Sequence, residues 1–298
     1  MAEDTPSVHR AEPTETFGLL ADETRIEVLR ALSDAPAAGS TFSELFDAVS
    51  LSDTGNFNYH LGQLVGTFVR KAGERYELTD AGERVVGAML AGSFDAEASF
   101  GPVPLDWDCL QCGGQFQLRF EDSDAHLRCE SCGSGLTVSI PPGAVGSVPA
   151  DDLPTAVVQW YRARIQRARS GFCHRCSGRT NRRLVSGVDP DADDPTPSEV
   201  RFECLRCGTE TAVSGAALVT YHPIVEGFFR EHGLATDRYH PTQLWTEIES
   251  SVETVQKDPL AVEVAFRTEG ELVTARVGAD GVVRDVERER AGDASSVE

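Results

Sequence analysis

Eight cysteines constrain the fold of this 298-residue chain most, because all of them fall in Cys-x-x-Cys pairs. The four pairs are Cys109 and Cys112, Cys129 and Cys132, Cys173 and Cys176, and Cys204 and Cys207. The phrase "RCESCGSGLTVS" at 128–139 also has a counterpart, "ECLRCGTETAVS", at 203–214. This repetition indicates that one small structural unit occurs twice.

The spacing of the pairs predicts two zinc ribbons, over 104–142 and 171–215. The first two pairs are separated by 16 residues, as in four-cysteine zinc sites, and the last two by 27. The 11-residue stretch "DPDADDPTPSE" at 189–199 accounts for the difference and, being acidic and rich in proline, is typical of a solvated loop. We therefore expect the second ribbon to carry this loop at its tip.

Four thiolates satisfy the tetrahedral preference of zinc and leave no open position, which favours two structural Zn²⁺ ions over catalytic ones. Glycine follows the second cysteine in three pairs, at Gly113, Gly133 and Gly208, and permits the positive φ that such turns use. With four cysteines available for each site, we expect His126 and His174 not to be ligands.

The N-terminus, "MAEDTPSVHRAEPTE", does not resemble a signal peptide, and no apolar run approaches the ~18 residues of a membrane span. We therefore expect a cytoplasmic protein without a membrane partner. Because cytoplasmic thiols stay reduced, disulfides are disfavoured. Thioredoxin-like redox pairs are disfavoured too, since that motif needs one pair on a βαβ frame.

Residues 14–92 lack cysteine and follow a helical pattern. Asp22, Asp53, Thr41 with Glu44, and Asp80 with Glu83 are placed as caps of successive helices. Two short alternating runs around Ala72-Gly73 predict a hairpin. The order helix, helix, helix, hairpin, helix predicts a winged helix-turn-helix, preceded by a disordered segment at 1–13.

Three phrases in this region, "LADETRIEVLRAL", "NYHLGQL" and "YELTDAGERV", resemble the ArsR-type winged-helix regulators. The resemblance covers roughly a quarter of the chain. It implies double-stranded DNA as a partner, a third helix that enters the major groove, and a homodimer. The metal sensing of that family is not carried over, because this region has no cysteine.

The predicted third helix supplies the candidate DNA contacts. If Phe57, Leu61 and Leu64 face the core, polar side chains face outward, and asparagine and glutamine are readers of adenine. The wing adds positive charge. The predicted DNA-binding residues are Asn56, Asn58, Tyr59, His60, Gln63, Arg70, Lys71 and Arg75.

The chain is strongly acidic, with a formal net charge of -21, and only two of its 27 basic residues are lysine. This composition resembles that of regulators from halophilic archaea. At molar salt the Debye length falls to about 3 Å, so the acidity does not exclude DNA binding.

Residues 153–188 contain eight arginines and no acidic residue. We expect a linker helix over 151–170, with Trp160 and Tyr161 as packing anchors. The arginines either form a stripe that faces phosphates or balance acidic neighbours within the protein. The sequence leaves both interpretations open.

Residues 216–288 predict helices followed by a three-stranded β-meander, with turns at Asp258-Pro259, Glu269-Gly270 and Asp280-Gly281. This part is a candidate for dimerisation or ligand sensing. Residues 289–298 are expected to be disordered.

These features predict an α+β protein in which a winged helix-turn-helix precedes two zinc ribbons, joined by a helix, and a small C-terminal antiparallel sheet. The predicted function is sequence-specific transcriptional regulation. One alternative is a basal transcription factor that contacts RNA polymerase, and another is a protein-interaction scaffold. No catalytic motif is present, so we expect a protein that is not an enzyme.

Overall fold

A computed structural model describes residues 12–185, 198–268 and 270–290. The chain forms two compact units. The first contains residues up to Glu97 together with Pro141–Gly143, and the second contains Ala98–Ile140 and the chain from Ala144 onward. Helices and several antiparallel sheets occur together, which confirms the α+β class.

The first unit contains five helices and one small sheet. The helices are α1 (Pro13–Gly18), α2 (Glu23–Asp34), α3 (Phe42–Ala48), α4 (Thr54–Leu64) and α5 (Asp80–Leu90). The strands are β1 (Ser40–Thr41), β2 (Val69–Ala72) and β3 (Arg75–Leu78), paired antiparallel in the order β1-β3-β2. The sequence did not predict α1 or β1.

Side-chain caps set most of these helix starts, as the sequence predicted. Asp22 accepts a hydrogen bond from the amide of Arg25, and Asp53 from that of Asn56. Thr41 and Glu44 form a reciprocal capping box. The prediction for α5 was wrong by one residue, because the hydroxyl of Thr79 is the acceptor that caps it.

The core of the first unit lies between α2, α4 and the hairpin. Phe57, Leu61 and Leu64 are fully buried, as predicted, and they pack with Val28 and Leu29 of α2. Apolar residues at this spacing lie on one face of a helix. The opposite face of α4 is therefore left in solvent.

In the second unit, each cysteine-rich repeat forms an antiparallel sheet. The first repeat contains β4 (Phe100–Asp108), β5 (Gln115–Glu121), β6 (Asp124–Cys129) and β7 (Gly135–Ser139) in sequential order. The second contains β8 (Thr180–Val185), β9 (Glu199–Cys204) and β10 (Glu210–Ser214). We call these sheets, with their cysteine turns, ribbon 1 and ribbon 2.

The strand registers show that β8, β9 and β10 repeat β5, β6 and β7. Phe116 pairs with Cys129 in ribbon 1, and Thr180, at the same distance from its cysteine turn, pairs with Cys204 in ribbon 2. Two residues join β5 to β6, whereas 186–198 separate β8 from β9. The extra residues thus fall between these strands, although Glu199 of the predicted loop belongs to β9. Residues 189–197 of that loop lie outside the described residues.

Helix α6 (Leu153–Arg169) joins the two ribbons, close to the predicted 151–170. Two short 3₁₀ turns, Pro142–Ala144 and Ala150–Asp152, precede it. Leu153 and Val157 pack into the core of ribbon 1, Ile165 and Ala168 into that of ribbon 2, and Tyr161 contacts both. Tyr161 is therefore the packing anchor that the sequence predicted.

The C-terminal part contains three short helices and one sheet. The helices are α7 (Gly215–Thr220), α8 (Pro223–Glu231) and α9 (Pro241–Thr246). The sheet is a meander of β11 (Ser250–Lys257), β12 (Leu260–Thr268), β13 (Glu271–Gly278) and β14 (Val283–Arg290). The prediction of three strands was wrong: β11 pairs with β12 along its full length. Strand β14 also extends to Arg290, into the tail predicted to be disordered.

None of the described helices combines the length and the apolar character that crossing a membrane requires.

Candidate metal centres and nucleic-acid interface

Four sulfur atoms converge at one end of each ribbon. The clusters are Cys109, Cys112, Cys129 and Cys132 in ribbon 1, and Cys173, Cys176, Cys204 and Cys207 in ribbon 2. Within each cluster all sulfurs lie within 4.8 Å of one another. The predicted repeat thus brings together the eight predicted ligands in two sites that are positioned to bind metal ions.

The sulfur–sulfur distances fit a tetrahedral tetrathiolate. In ribbon 1 the Cys109–Cys132 and Cys112–Cys129 sulfurs are 3.7 and 3.5 Å apart. The corresponding distances in ribbon 2 are 3.8 Å for Cys173–Cys207 and 3.4 Å for Cys176–Cys204. A tetrahedron with metal–sulfur bonds of about 2.3 Å has edges of about 3.8 Å. Disulfide bonds, at about 2.05 Å, are excluded by these distances.

All four cysteine turns share one backbone pattern. In each, the amide of the first cysteine donates to the carbonyl five residues later, and the amide four residues later donates back to that cysteine's carbonyl. The residue after the second cysteine has a positive φ, which is 70° at Gly113, 73° at Gly133 and 69° at Gly208. Ser177 occupies this position in the fourth turn with φ 56°, so a residue without the freedom of glycine adopts the same geometry.

Backbone amides within the turns point at the sulfurs. The amide of Arg175 lies 3.3 Å from the Cys173 sulfur, and that of Arg206 lies 3.4 Å from the Cys204 sulfur. In ribbon 1, hydrogen bonds from the amides of Cys132 and Ser131 lower the pKa of Cys129 to about 7. At Cys129 the backbone amides therefore favour the thiolate, which is the form that binds metal.

The two centres differ in the charge around them. The turns of ribbon 2, "CHRC" and "CLRC", contain Arg175 and Arg206, whereas those of ribbon 1, "CLQC" and "CESC", contain no basic residue. Arg206 donates to the carbonyl of Cys176 at 3.3 Å. Arg167 of α6 donates to the Ser177 hydroxyl at 2.7 Å. Ribbon 2 is therefore the more cationic centre.

The histidines beside the centres are not part of the clusters, as predicted. His126 lies 3.1 Å from the hydroxyl of Thr137. Burial, followed by the charges of Arg164, Arg167 and Arg175, lowers the pKa of His174. The His174 imidazole is therefore harder to protonate than a free histidine.

Helix α4 presents four of the predicted DNA contacts to solvent. Asn56, Asn58, Tyr59 and Gln63 are exposed, and 60% of the Tyr59 side chain is accessible. His60 differs from them, because its Nδ1 lies 3.2 Å from Asp22 Oδ1 and its side chain is only 12% exposed. His60 therefore links α4 to the cap of α2.

The hairpin is less cationic than its sequence suggests. Arg70 forms an ion pair with Glu77 at 2.7 Å. Arg75 donates to the carbonyl of Gly39 at 2.8 Å and lies 3.4 Å from Glu44. Lys71 lies over the ring of Tyr76. These basic side chains are accessible, but two of the three have acidic partners.

The arginines of α6 fall into two groups, those that bind partners within the protein and those that lie beside Trp160. Arg162 forms an ion pair with Glu226 and Arg169 donates to the carbonyl of Tyr221 at 2.7 Å, so both act within the protein. Arg164 and Arg167 instead lie beside Trp160, which is 40% exposed and is not a buried anchor. Spacing along the sequence could not separate these groups, because their partners are distant in the chain.

Comparison with known families fits the division into two units. Residues 13–89 match the family model described as Domain of unknown function (DUF7347), and residues 106–283 match the model described as Domain of unknown function (DUF7351). The second match contains all eight cysteines and spans more than half of the chain. The protein is thus an α+β protein with two four-cysteine centres. It belongs to the DUF7351 family. Searches among curated proteins and among solved structures found no match.

Proposed function

We propose that the chain is a sequence-specific, DNA-binding transcriptional regulator of the ArsR type. In this proposal the first unit is a winged helix-turn-helix, α4 is its recognition helix, and β2 and β3 form the wing. The second unit is held by two structural zinc ions and acts by binding, without catalysis. The protein works in the cytoplasm as a homodimer on double-stranded DNA.

The observation that carries the proposal is the two-sided character of α4. One side buries Phe57, Leu61 and Leu64, while the other exposes a tyrosine and three side-chain amides, at Asn56, Asn58 and Gln63. Asparagine and glutamine can form paired hydrogen bonds to adenine in the major groove. Gly55 and Gly62 on or near this side leave room for close approach of the duplex.

The element order supports the winged-helix assignment. Three helices, α2, α3 and α4, precede a β-hairpin that pairs with the short strand β1, and α5 follows. The dimer is proposed from the resemblance to ArsR-type regulators, which usually pair on two-fold DNA sites.

Zinc is supported by the donor set. Four thiolates in a tetrahedral arrangement select zinc or iron over oxygen-preferring cations, and neither centre has an open position. A closed site supports a structural role. The basal transcription factor and scaffold alternatives share these centres, so the test of function must address DNA.

Genome-wide chromatin immunoprecipitation of the tagged chain at native salt tests the proposal. We expect a small set of peaks that share a palindromic motif and disappear in an Asn56→Ala/Tyr59→Ala variant whose melting temperature is unchanged. Each lost base contact corresponds to about 1–3 kcal/mol of discrimination. The matched control Asn181→Ala/Tyr239→Ala, which removes an amide and a tyrosine from the second unit, should retain the peaks.

Two outcomes would contradict the proposal. Occupancy of most active promoters without a shared motif would indicate a basal transcription factor that contacts RNA polymerase. Absence of enrichment would indicate an interaction scaffold.

A further inference from the structure

A cleft in the second unit lies where ribbon 1, α6 and ribbon 2 meet. It has a volume of about 390 Å³ and is lined by Ser139, Trp160, Ala163, Arg164, Arg167 and His174. None of these residues is acidic, although the chain as a whole has a net charge of -21. Volumes of this size accommodate small ligands.

One face of α6 forms the floor of the cleft. Trp160, Ala163, Arg164 and Arg167 are separated by three and four residues, so they lie on the same side of the helix. The small side chain of Ala163 leaves space between the indole and the guanidinium groups. The other side of α6 is buried, which fixes the floor relative to both ribbons.

The indole of Trp160 is fixed by a hydrogen bond and is still accessible to solvent. Its Nε1 donates to the carbonyl of Ser139 at 3.1 Å, which fixes the ring at the end of β7. Even so, 40% of the side chain is exposed. A fixed and accessible indole is a platform on which a flat aromatic group can stack.

Arg164, four residues after Trp160, supplies a guanidinium cation to the lining of the cleft. Its Nε is buried, and no described residue accepts a hydrogen bond from it. Arg167 lies one helical turn further along and is exposed. Guanidinium groups at this spacing can bind one phosphate together.

A purely structural role for Arg164 is the competing explanation. A metal tetrathiolate carries two negative charges, and Arg164 is attracted by Cys173 of ribbon 2. This explanation accounts for the charge of Arg164. It does not account for an accessible indole four residues away on the same cleft.

We propose that the cleft binds an unpaired nucleotide, with the base stacked on Trp160 and the phosphate bound by Arg164 and Arg167. The nucleotide is either free or part of a single strand, since both present the same base and phosphate. This site is separate from the proposed recognition helix α4, which addresses paired bases. The inference does not depend on the proposed function of the first unit.

The test uses the full, metal-loaded chain with the Asn56→Ala/Tyr59→Ala changes, so that contacts through α4 do not contribute. Binding of a fluorescent thymidine 20-mer and of AMP is measured by anisotropy and calorimetry. Trp160→Ala and Arg164→Gln should each weaken binding about tenfold, the scale of one stacked base. Arg267→Gln, which removes an exposed cation from β12, should change it less than twofold.

The two probes distinguish the source of the nucleotide. Comparable binding of AMP would identify a free nucleotide, and binding of the 20-mer alone would identify a single strand. Failure of both probes to bind at millimolar concentration would overturn the proposal. So would unchanged binding in Trp160→Ala, or in Trp160→Leu if the alanine variant does not fold. If Arg164→Gln lowers only the metal content, Arg164 serves the metal centre and the nucleotide site is rejected.

Discussion

Ribbon 1 and ribbon 2 have the same metal-site geometry but different surroundings. The core of ribbon 1 is formed by side chains of its own strands, among them Leu118, Phe120, Leu127 and Val138. The start of α6 packs against them. The core of ribbon 2 is continuous with α7, α8 and the C-terminal sheet, because Val200 and Phe202 pack in the same cluster as Phe229 and Phe266. The core of ribbon 1 is thus separate from that of the C-terminal sheet, although Trp107 of β4 stacks on His240, whereas the core of ribbon 2 is part of a larger one.

Direct hydrogen bonds add to the connection of ribbon 2 with the sheet. The amide of Leu184 donates to the carbonyl of Ala279 at 2.9 Å, and that of Ser198 donates to Glu253 at 3.2 Å. Duplicated sequence therefore does not imply duplicated packing. The metal geometry follows from the repeat, and the role of each copy follows from its neighbours.

The largest expected effect comes from removing one ligand in each centre. Cys129→Ser and Cys204→Ser should each lose one of two metal ions, because three thiolates leave the site open. Structural zinc can contribute about 10–16 kcal/mol to folding of a small finger, so the affected ribbon should unfold locally. Hydrogen exchange should then increase in β4–β7 alone for Cys129→Ser. For Cys204→Ser it should increase in β8–β10 and also in β11–β14.

Equal hydrogen exchange of β11–β14 in both variants would contradict the difference between the ribbons, since it would mean that ribbon 1 also supports the C-terminal sheet. Zinc content and exchange are measured on the same preparations. Metal loss is thereby separated from its structural consequence.

A smaller effect is expected at Glu271, which is 7% exposed and joins β13 to β14. Hydrogen bonds from Arg288, and then from Arg290, lower its pKa to about 2. Glu271→Gln should cost about 2 kcal/mol at neutral pH, the scale of hydrogen bonds to a charged group. The loss should increase hydrogen exchange in ribbon 2 and leave ribbon 1 unchanged.

The effect of Glu271→Gln should depend on pH. The folded pKa lies below the ordinary value, so the carboxylate stabilises the folded protein above about pH 4.5, and this contribution disappears as the pH falls toward 2. Melting curves of the two proteins should therefore converge in acid. A difference that persists at pH 2 would contradict the role of the charge.

The smallest effect is expected at the position after the second cysteine. Gly133→Ser forces a serine to a φ of 73° in ribbon 1, where a Cβ atom has open space, so only the backbone cost applies. It should destabilise metal binding by about 1 kcal/mol. Ser177→Gly in ribbon 2 should strengthen metal binding. The gain should be smaller than the loss in Gly133→Ser, because the hydrogen bond from Arg167 to the Ser177 hydroxyl is removed at the same time. Chelator competition measures both, and effects of the same sign would refute the equivalence of the turns.

The sequence predicted those features that depend on local spacing. Asp22, Thr41 and Asp53 cap helices as predicted, and the cysteine spacing identified two four-sulfur clusters and the position of the extra residues in ribbon 2. Helix α7 was not predicted, because Gly215–Thr220 is buried on all sides and has no amphipathic period. The predicted number of strands in the C-terminal sheet was wrong, although the predicted turn at Asp258-Pro259 does join β11 to β12.

The surroundings of the metal centres could not be predicted, because they depend on tertiary contacts. Arg164 reaches ribbon 2 from α6, and Arg162 pairs with Glu226, which lies 64 residues further along the chain. The positive φ of Ser177 was also missed, since the expected signal is glycine. The proposed DNA contacts stay predictions, although His60 and Arg75 have partners within the protein that sequence spacing did not reveal.

The most direct test of the two metal centres is native mass spectrometry of the purified full-length chain. We predict two zinc ions bound to each chain, with one retained in Cys129→Ser and one in Cys204→Ser. A chain that is folded with one zinc ion or none would contradict the account, because at least one of the two ribbons would then be held without metal.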